Sequence, residues 1–465
     1  MSIAHFSHFL PSRVLSVDLG TNKVEVPAPS ERPPAAYSRI RALVRVADTP
    51  IGFVELEGVT TDDDASIVEM VRTRAWDEFR EDLIDLFAKA DLPAPSSSAD
   101  LKTYAQWSAK NVVAHEQVLV SVVISTLQND EAAMATAARV LEGAHESLDV
   151  IIVDNSDSPE PLAAKVAQRF SKDSRVRHVL ERRRGLSRAR NKGLEVARGD
   201  IIVLTDDDVI VDRLWITKIV EAFDLAPNVG CVTGAIVPAE LETPAQELLE
   251  QFGGFNKGFA TEVFNMTDHR RPGPLYPYDS GRFGSGANIA FRRACIDEIG
   301  GFTNHLGVGT PAWGGEDIDV LRRTITAGYT LVYVPSALMW HRHRRSYDAL
   351  RRQMYRYGVG LSATVTKWVM EDRGTAIEVA RRLPAGVLHI LGPKSRKNKA
   401  KTSTYPISLT LLELAGLLVG PFAYFRSRRA ARSVDSISKK DAANVVFRPV
   451  NRGEPHGISG DPTSE

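Results

Sequence analysis

The stretch Gly199–Asp208, GDIIVLTDDD, decides how the rest of the chain is read. Four apolar residues, Ile201 to Leu204, lead through Thr205 into three consecutive carboxylates, Asp206, Asp207 and Asp208. A continuous, β-branched apolar run is the pattern of a strand buried on both faces of a parallel sheet. Nothing in the run neutralises the adjacent like charges, and unpaired charge near a buried strand is costly. Two explanations stand side by side. One is a solvated capping turn. The other is a rim where a hard divalent cation, Mg²⁺ or Mn²⁺, takes carboxylate oxygens and bridges to phosphates.

Upstream, the chain alternates in type. VLVSVVIST (Val118–Thr126) is a second buried-strand run, followed by a helix-like Glu131–Gly143 and the strand LDVIIVD. A helix-like Pro161–Phe170 and the strand RVRHVL come next. Ser187 then reads as the N-cap of a helix to Arg198, with Gly199 just past its end. Strand–helix alternation predicts an α/β domain with a mostly parallel sheet flanked by helices. Ligands of such sheets sit beyond the carboxyl ends of the strands. That rule puts Ser125, Thr126, Asp154, Asn155 and Asp206 to Asp208 on one rim.

The chain has 465 residues, 43% of them apolar and 25% charged, which suits two or three soluble domains. Its 58 basic residues equal its 58 acidic ones, so there is no global attraction to nucleic acid. Cys231 and Cys295 are too few for a disulfide framework or a thiolate metal site and suit a reducing cytoplasm. The start, MSIAHFSHFLPSR, has neither the basic residues nor the apolar core of a signal peptide.

Four regions are expected. Residues 1–115 read as a small α+β domain of unassigned role, with a hairpin (RALVRV, IGFVELE) and an amphipathic helix over about 65–90. Residues 116–345 form the α/β domain, 346–430 a basic helical region and 431–465 a disordered tail. Within the third region, Pro406–Phe425 is near the roughly 20 residues that span a bilayer. Glu413, Gly416, Gly420 and Pro421 interrupt it and basic clusters flank both sides, so a re-entrant or interfacial hairpin is expected over one clean span, with a buried helix hairpin as the alternative.

Further chemistry follows the triplet. In Gly314–Asp319, GGEDID, a carboxylate after a Gly-rich loop is placed to take a proton from a hydroxyl, or simply to cap the next helix. His341, leaving the strand TLVYVP in WHRHRR, is a metal ligand through its neutral imidazole or a surface residue.

The order of these motifs resembles the inverting family-2 glycosyltransferases of bacterial type, with a GT-A fold, over about residues 118–345. SVVIST, with Thr126, is similar to the first nucleotide-binding strand, although Ser125 stands where Pro is common. IIVDNSDS is similar to the strand whose Asp, here Asp154, contacts the base. GLSRARNKGLEVARGDIIVLTDDD resembles the helix and strand leading into the DxD motif, RFGSGANIAFRR the acceptor-side segment, and GGEDIDVLRR the motif bearing the catalytic base.

The resemblance implies a nucleotide diphosphate sugar donor, a divalent metal (Mg²⁺ or Mn²⁺) and an acceptor hydroxyl. Asp208 would hold the metal, with Asp206 shared between metal and ribose, and His341 a further ligand with His343 its competitor. Asp207 is the least defined of the three. Asp317 would be the base, with Glu316 behind it. Arg188 and Arg190, with Arg182 to Arg184, would steady the diphosphate, and Asn288 would contact donor sugar or acceptor. QMYRY (353–357) resembles the QxxRW motif of processive synthases. Those have several membrane helices, and one candidate segment here points to a non-processive enzyme.

The basic C-terminal flanks suggest a glycan or lipid-linked acceptor in the cell envelope. The expected location is the cytoplasm, at the cytoplasmic face of the membrane. A nucleotidyltransferase and a non-catalytic sugar-nucleotide-binding module are the alternatives. The first would need an early basic phosphate loop, which STLQND lacks. The second would have lost one of the acidic motifs.

Overall fold

The computed structural model describes residues 9–445 except 29, 31, 60, 112–116, 157–159, 393, 394, 396, 403 and 404. Two sheets are present among the described residues. The first comprises β1 (Ser12–Asp18), β2 (Lys23–Glu25), β3 (Arg39–Val46) and β4 (Thr49–Glu57), in the order β2-β1-β3-β4. The expected hairpin is β3–β4, turning at Ala47, whose φ of 57° is left-handed. Helices α1 (Asp64–Glu78), α2 (Arg80–Lys89) and α3 (Leu101–Lys110) cover this sheet around a core of their own. The single helix expected over 65–90 is two, broken at Phe79, whose backbone (φ −119°, ψ 23°) leaves the helical region.

The second sheet forms on the predicted alternation. It begins with β5 (Val120–Thr126), α4 (Asp130–Leu141), β6 (Leu148–Asp154), α5 (Glu160–Arg169), β7 (Val176–Leu180), α6 (Leu186–Val196) and β8 (Ile201–Asp206). Then come β9 (Val209–Val211), α7 (Trp215–Ala222), β10 (Val229–Pro238), α8 (Pro244–Phe252), β11 (Glu262–Phe264), β12 (Ile289–Arg292), α9 (Arg293–Glu298), α10 (Glu316–Thr326) and β13 (Thr330–His341). The order is β11-β13-β10-β12-β8-β5-β6-β7, with β9 on β13. The β8-β5-β6-β7 half is parallel, whereas β12 runs antiparallel to both its neighbours, β8 and β10. The sheet is therefore mixed, not mostly parallel. β12 was not expected, because IAFR is too short to show a period. Apolar clusters fill both faces, as the all-buried strands β5, β6 and β10 require. The register sets Thr126 opposite Asp154 and Ser125 opposite Asp206, so the expected rim exists. Ser187 does not cap α6: Gly185 holds that position, and the Ser187 hydroxyl donates to the Leu306 carbonyl at 2.8 Å.

Three helices follow: α11 (Tyr347–Glu371), α12 (Arg373–Leu391) and α13 (Ile407–Val445). α13 is continuous through Pro421, in place of a hairpin, and it enters the segment expected to be a tail; residues 446–465 lie outside the described residues. The glycines that looked like interruptions are where α13 meets α11. A Cβ on Gly416 would collide with the Tyr355 carbonyl. α11 is in turn fastened to α10 by the buried Asp319 carboxylate, whose Oδ1 accepts from Lys367 Nζ and Trp368 Nε1, both at 2.9 Å.

Gly416→Leu should therefore lower unfolding free energy by about 1–3 kcal/mol through overpacking. Leu418→Ser, at a side chain 77% exposed, should change it by less than about 0.5 kcal/mol. Urea denaturation of the two variants reads the difference.

Candidate active site

Asp206 is the last residue of β8, and Asp207 and Asp208 form the turn into β9. The Thr136 hydroxyl holds that turn, donating to the carbonyls of Asp207 (3.1 Å) and Val209 (3.2 Å). β9 pairs antiparallel with the end of β13, Val209 opposite His341. That pairing sets Asp208 Oδ1 3.4 Å from His341 Nε2. Burial alone would raise the Asp208 carboxyl, yet contact with His341 and the charge of Arg344 hold it below its ordinary range. It is His341, not His343, that faces Asp208. The buried His343 turns to α8, where its Nε2 meets Glu250 Oε1 at 2.9 Å. Asp207 accepts from the Thr126 hydroxyl at 2.6 Å, and burial beside two like charges pushes its carboxyl up to about 6.

Asp206 points the other way, toward Arg190 on α6. The Arg190 guanidinium is sealed from solvent and donates to Asp206 Oδ1 (3.0 Å), Glu316 Oε1 (3.1 Å) and the Gly286 carbonyl (2.9 Å). Glu316 and Asp317 open α10 directly after Gly315, whose φ of 87° suits glycine. Both carboxylates stand at the positive end of that helix. Asp317, half-buried, accepts from the amides of Ile318 (2.8 Å) and Gly286 (3.2 Å). Glu316 is buried, and that burial with the adjacent Asp317 charge outweighs Arg190 and pushes its carboxyl up to about 7. Among the described residues, no three His, Cys, Asp or Glu side chains gather as a metal cage. Asp206 thus stands apart from the Asp208–His341 pair.

The family described as "Glycosyl transferase family 2" matches residues 121–300, the span holding β5, β8 and the carboxylate turn. Residues 121–300 are a family-2 glycosyltransferase domain. "N-terminal domain of galactosyltransferase" matches residues 270–346 of the same sheet, the part with Asp317 and His341.

Curated relatives agree with the assignment. The glucosyl-dolichyl phosphate glucuronosyltransferase of Haloferax volcanii is 28% identical over 195 residues, 40% of this chain and 57% of its own. The pre-mycofactocin glycosyltransferase of Mycobacterium tuberculosis is 29% identical over 226 residues, 48% of this chain and 43% of its own. The chain thus spans about half the length of the curated relatives it matches. A solved mannosyltransferase, PcManGT from Pyrobaculum calidifontis in complex with GDP-Man and Mn²⁺, overlaps 80% of this chain and 93% of its own at 18% identity, with a TM-score of 0.40.

Within the transferase domain, several residues expected at the donor serve the scaffold. Arg190 is one, since its inward donors are taken by protein acceptors. Asn288 is another: fully buried, it accepts from Trp215 Nε1 (2.9 Å) and donates to the carbonyls of Ala235 (3.0 Å) and Ala337 (2.8 Å). Arg188 is buried and reaches the Ala431 carbonyl on α13 at 3.4 Å. Arg183 folds back on Glu181, with Nε 2.8 Å from Oε1. Asp154 keeps its place at the rim, accepting from the Ser156 amide at 2.9 Å, with Oδ2 3.5 Å from His178 Nε2. Glu250 and the Asp319–Lys367 pair escaped sequence reading. Glu250 sits in an ordinary amphipathic helix, and Asp319, although it ends GGEDID, finds its buried partner Lys367 48 residues away, which nothing local marks.

Removing Arg190 strands the buried Glu316 carboxylate and the partly exposed Asp206. Arg190→Ala is expected to cost about 3–5 kcal/mol, and Arg190→Lys to recover only part, because one ammonium cannot reproduce the planar fork. Denaturation midpoints measure both. Glu316 has an acid-side signature. Its folded value of about 7 lies above the ordinary 4.5, so the stability it confers is full below pH 4.5 and is lost as pH rises through 7. Glu316→Gln should flatten the stability profile in that window, read by urea titrations at successive pH values.

Proposed function

We propose that this chain is a non-processive, inverting glycosyltransferase. It moves a sugar from a nucleoside diphosphate sugar to the hydroxyl of a glycan or lipid-linked acceptor, with a divalent cation, Mg²⁺ or Mn²⁺. The observation that carries the proposal is the meeting of two unlike groups on one rim. Asp208 and His341 face each other at 3.4 Å. Asp317 is tied to neighbouring Asp206 through Gly286 and Arg190.

The donor set fits a cation. A carboxylate oxygen and an imidazole nitrogen both carry electron pairs, and only a proton or a metal ion draws such a pair together. With no third protein ligand among the described residues, phosphate oxygens of the donor would complete the site. A cation held by Asp208 and His341 would neutralise the charge that grows on the departing nucleoside diphosphate.

Asp317 is the better placed base. Two amide donors fix its carboxylate while leaving electron pairs free to take the acceptor's proton. Glu316 is engaged by Arg190 and buried. Deprotonation by a carboxylate lets the hydroxyl attack the anomeric carbon opposite the leaving group, which inverts it. Thr126 and Asp154 at the rim would meet the nucleotide.

A relative named for glucosyl-dolichyl phosphate supports a lipid-linked acceptor. So does the surface. Leu388 (α12), Leu418 and Phe422 (α13) expose more than two thirds of their area beside exposed Arg426, Arg429 and Arg432. An apolar ridge with cationic flanks suits the headgroup region of an anionic cytoplasmic leaflet. Among the described residues one helix, Ile407–Val434, is long and apolar enough to cross a membrane, but a third of its most apolar window is buried in the protein, which favours lying on the leaflet.

Asp208→Ala and Asp317→Asn should each lower transfer by about 10²–10⁴-fold in assays of nucleotide sugars across a metal series. NMR of the product should show the opposite anomer from the donor; a retained anomer would sink the mechanism. In flotation assays, the chain should follow vesicles containing phosphatidylserine but not neutral ones, and Leu418→Ser with Phe422→Ser should release it.

A further inference from the structure

The N-terminal sheet lies against the half of the site that holds Asp208 and His341. Arg45 of β3 is buried against Asp212, the residue after β9, at 2.6 Å, and Lys218 of α7 pairs with Asp48. A third contact reaches further. Arg41 of β3, stacked over Phe53 at 4.4 Å, donates to Glu250 Oε2 at 3.3 Å. Glu250 Oε1 meets His343 Nε2 at 2.9 Å. His343 Nδ1 then meets His341 Nδ1 at 3.3 Å, and His341 Nε2 meets Asp208. Phe255 packs on both imidazoles, with centroid separations of 4.9 and 5.7 Å, which fixes their planes.

Carboxylates stand at both ends of this chain, and a cation at the Asp208 end leaves the hydrogen-bond polarity to be set from Glu250. A carboxylate only accepts, so His343 Nε2 carries the hydrogen that meets Glu250. In a neutral His343 the Nδ1 is then bare, and the hydrogen between the two rings belongs to His341 Nδ1. With a cation seated between His341 and Asp208, that leaves His341 Nε2 its electron pair for the metal. The opposite polarity would aim a bare His343 Nε2 at the Glu250 carboxylate.

We infer that Arg41, Glu250 and His343 are positioning residues that lock His341 as the Nδ1–H tautomer, so that the N-terminal sheet presets Nε2 as a metal ligand. This rests on the metal site proposed above. Partners that fix a ligating histidine's tautomer are worth about 10–100-fold in metal affinity, and the same loss is expected when this chain is cut.

The first test needs no variant. Long-range ¹H–¹⁵N spectra of the full chain with Mg²⁺ and GDP or UDP, labelled at histidine, should show hydrogen on His341 Nδ1 and a bare His343 Nδ1. A bare His341 Nδ1 overturns the inference, whichever nitrogen of His343 carries hydrogen. The second test is Mn²⁺ affinity by EPR, with Mn²⁺ alone and with GDP or UDP. His343→Phe should weaken it by about 10–100-fold and Arg41→Met should weaken it less. His343→Gln, which can donate to Glu250 and accept from His341, should restore it. If His341→Ala loses Mn²⁺ while His343→Phe binds as wild type, the relay is refuted and the metal site stands. If His341→Ala binds Mn²⁺ normally, the metal site itself fails and the inference with it.

Discussion

A single guanidinium holds this site together. Arg190 comes from the helix before the carboxylate strand and lies wholly inside the protein. It gathers Asp206 at the end of β8, Glu316 at the start of α10 and the Gly286 carbonyl before β12. A charge taken out of water is tolerable only when its partners are close and well aimed. The Arg190 cluster therefore has one arrangement, and every element that supplies a partner is fixed by it. Asp208 owes its position to the turn beginning at Asp206, and Asp317 owes its position to the helix start occupied by Glu316.

The same logic explains why the sequence disclosed some of this and not the rest. Strands β5, β6 and β8 are buried on both faces, so their composition alone announces them. The sheet register then delivers the rim of Thr126, Asp154 and Asp206 as that reading requires. The reversal of β12 left no trace, since four residues carry no period and their direction depends on the partners they find. Gly416 and Gly420 misled for a related reason. Glycine marks a break when read along the chain and a close helix contact when read across it, and only the α11 surface shows which applies. Arg190 and Asn288 were read as ligands of the donor because polar residues in a motif suggest chemistry. Their carbonyl and carboxylate partners lie 16 to 126 residues away, and no local pattern signals that a polar side chain is already satisfied.

The N-terminal sheet shows how structure adds function to a segment without a motif. One face of that sheet has a core of its own, and the other buries Leu43 and Phe53 against the transferase core. Three ion pairs add to that apolar contact: Arg45 with Asp212, Lys218 with Asp48, and Arg41 with Glu250. Two of the three acids, Asp212 and Glu250, lie one step from β9 or from the histidine pair. The interface is thus concentrated on the metal side of the site, leaving Asp317 to the helical layer at the other side.

That division separates two classes of charge. Asp319, Arg190 and Glu250 are surrounded by complementary groups within the protein, and their geometry is complete without a ligand. Asp208 with His341, and Asp317 with its two amides, are held just as firmly but leave electron pairs directed at the rim. A folded chain tolerates that local excess because the first class, paired within the protein, fixes the positions of the second. What the three carboxylates of GDIIVLTDDD lack is therefore distributed unevenly. Arg190 neutralises Asp206, and Asp207, steadied by the Thr126 hydroxyl, is pushed up to about 6. Asp208, held in its charged form, is the one of the three that faces a histidine ring, at 3.4 Å, and so its oxygen is the one offered to a cation.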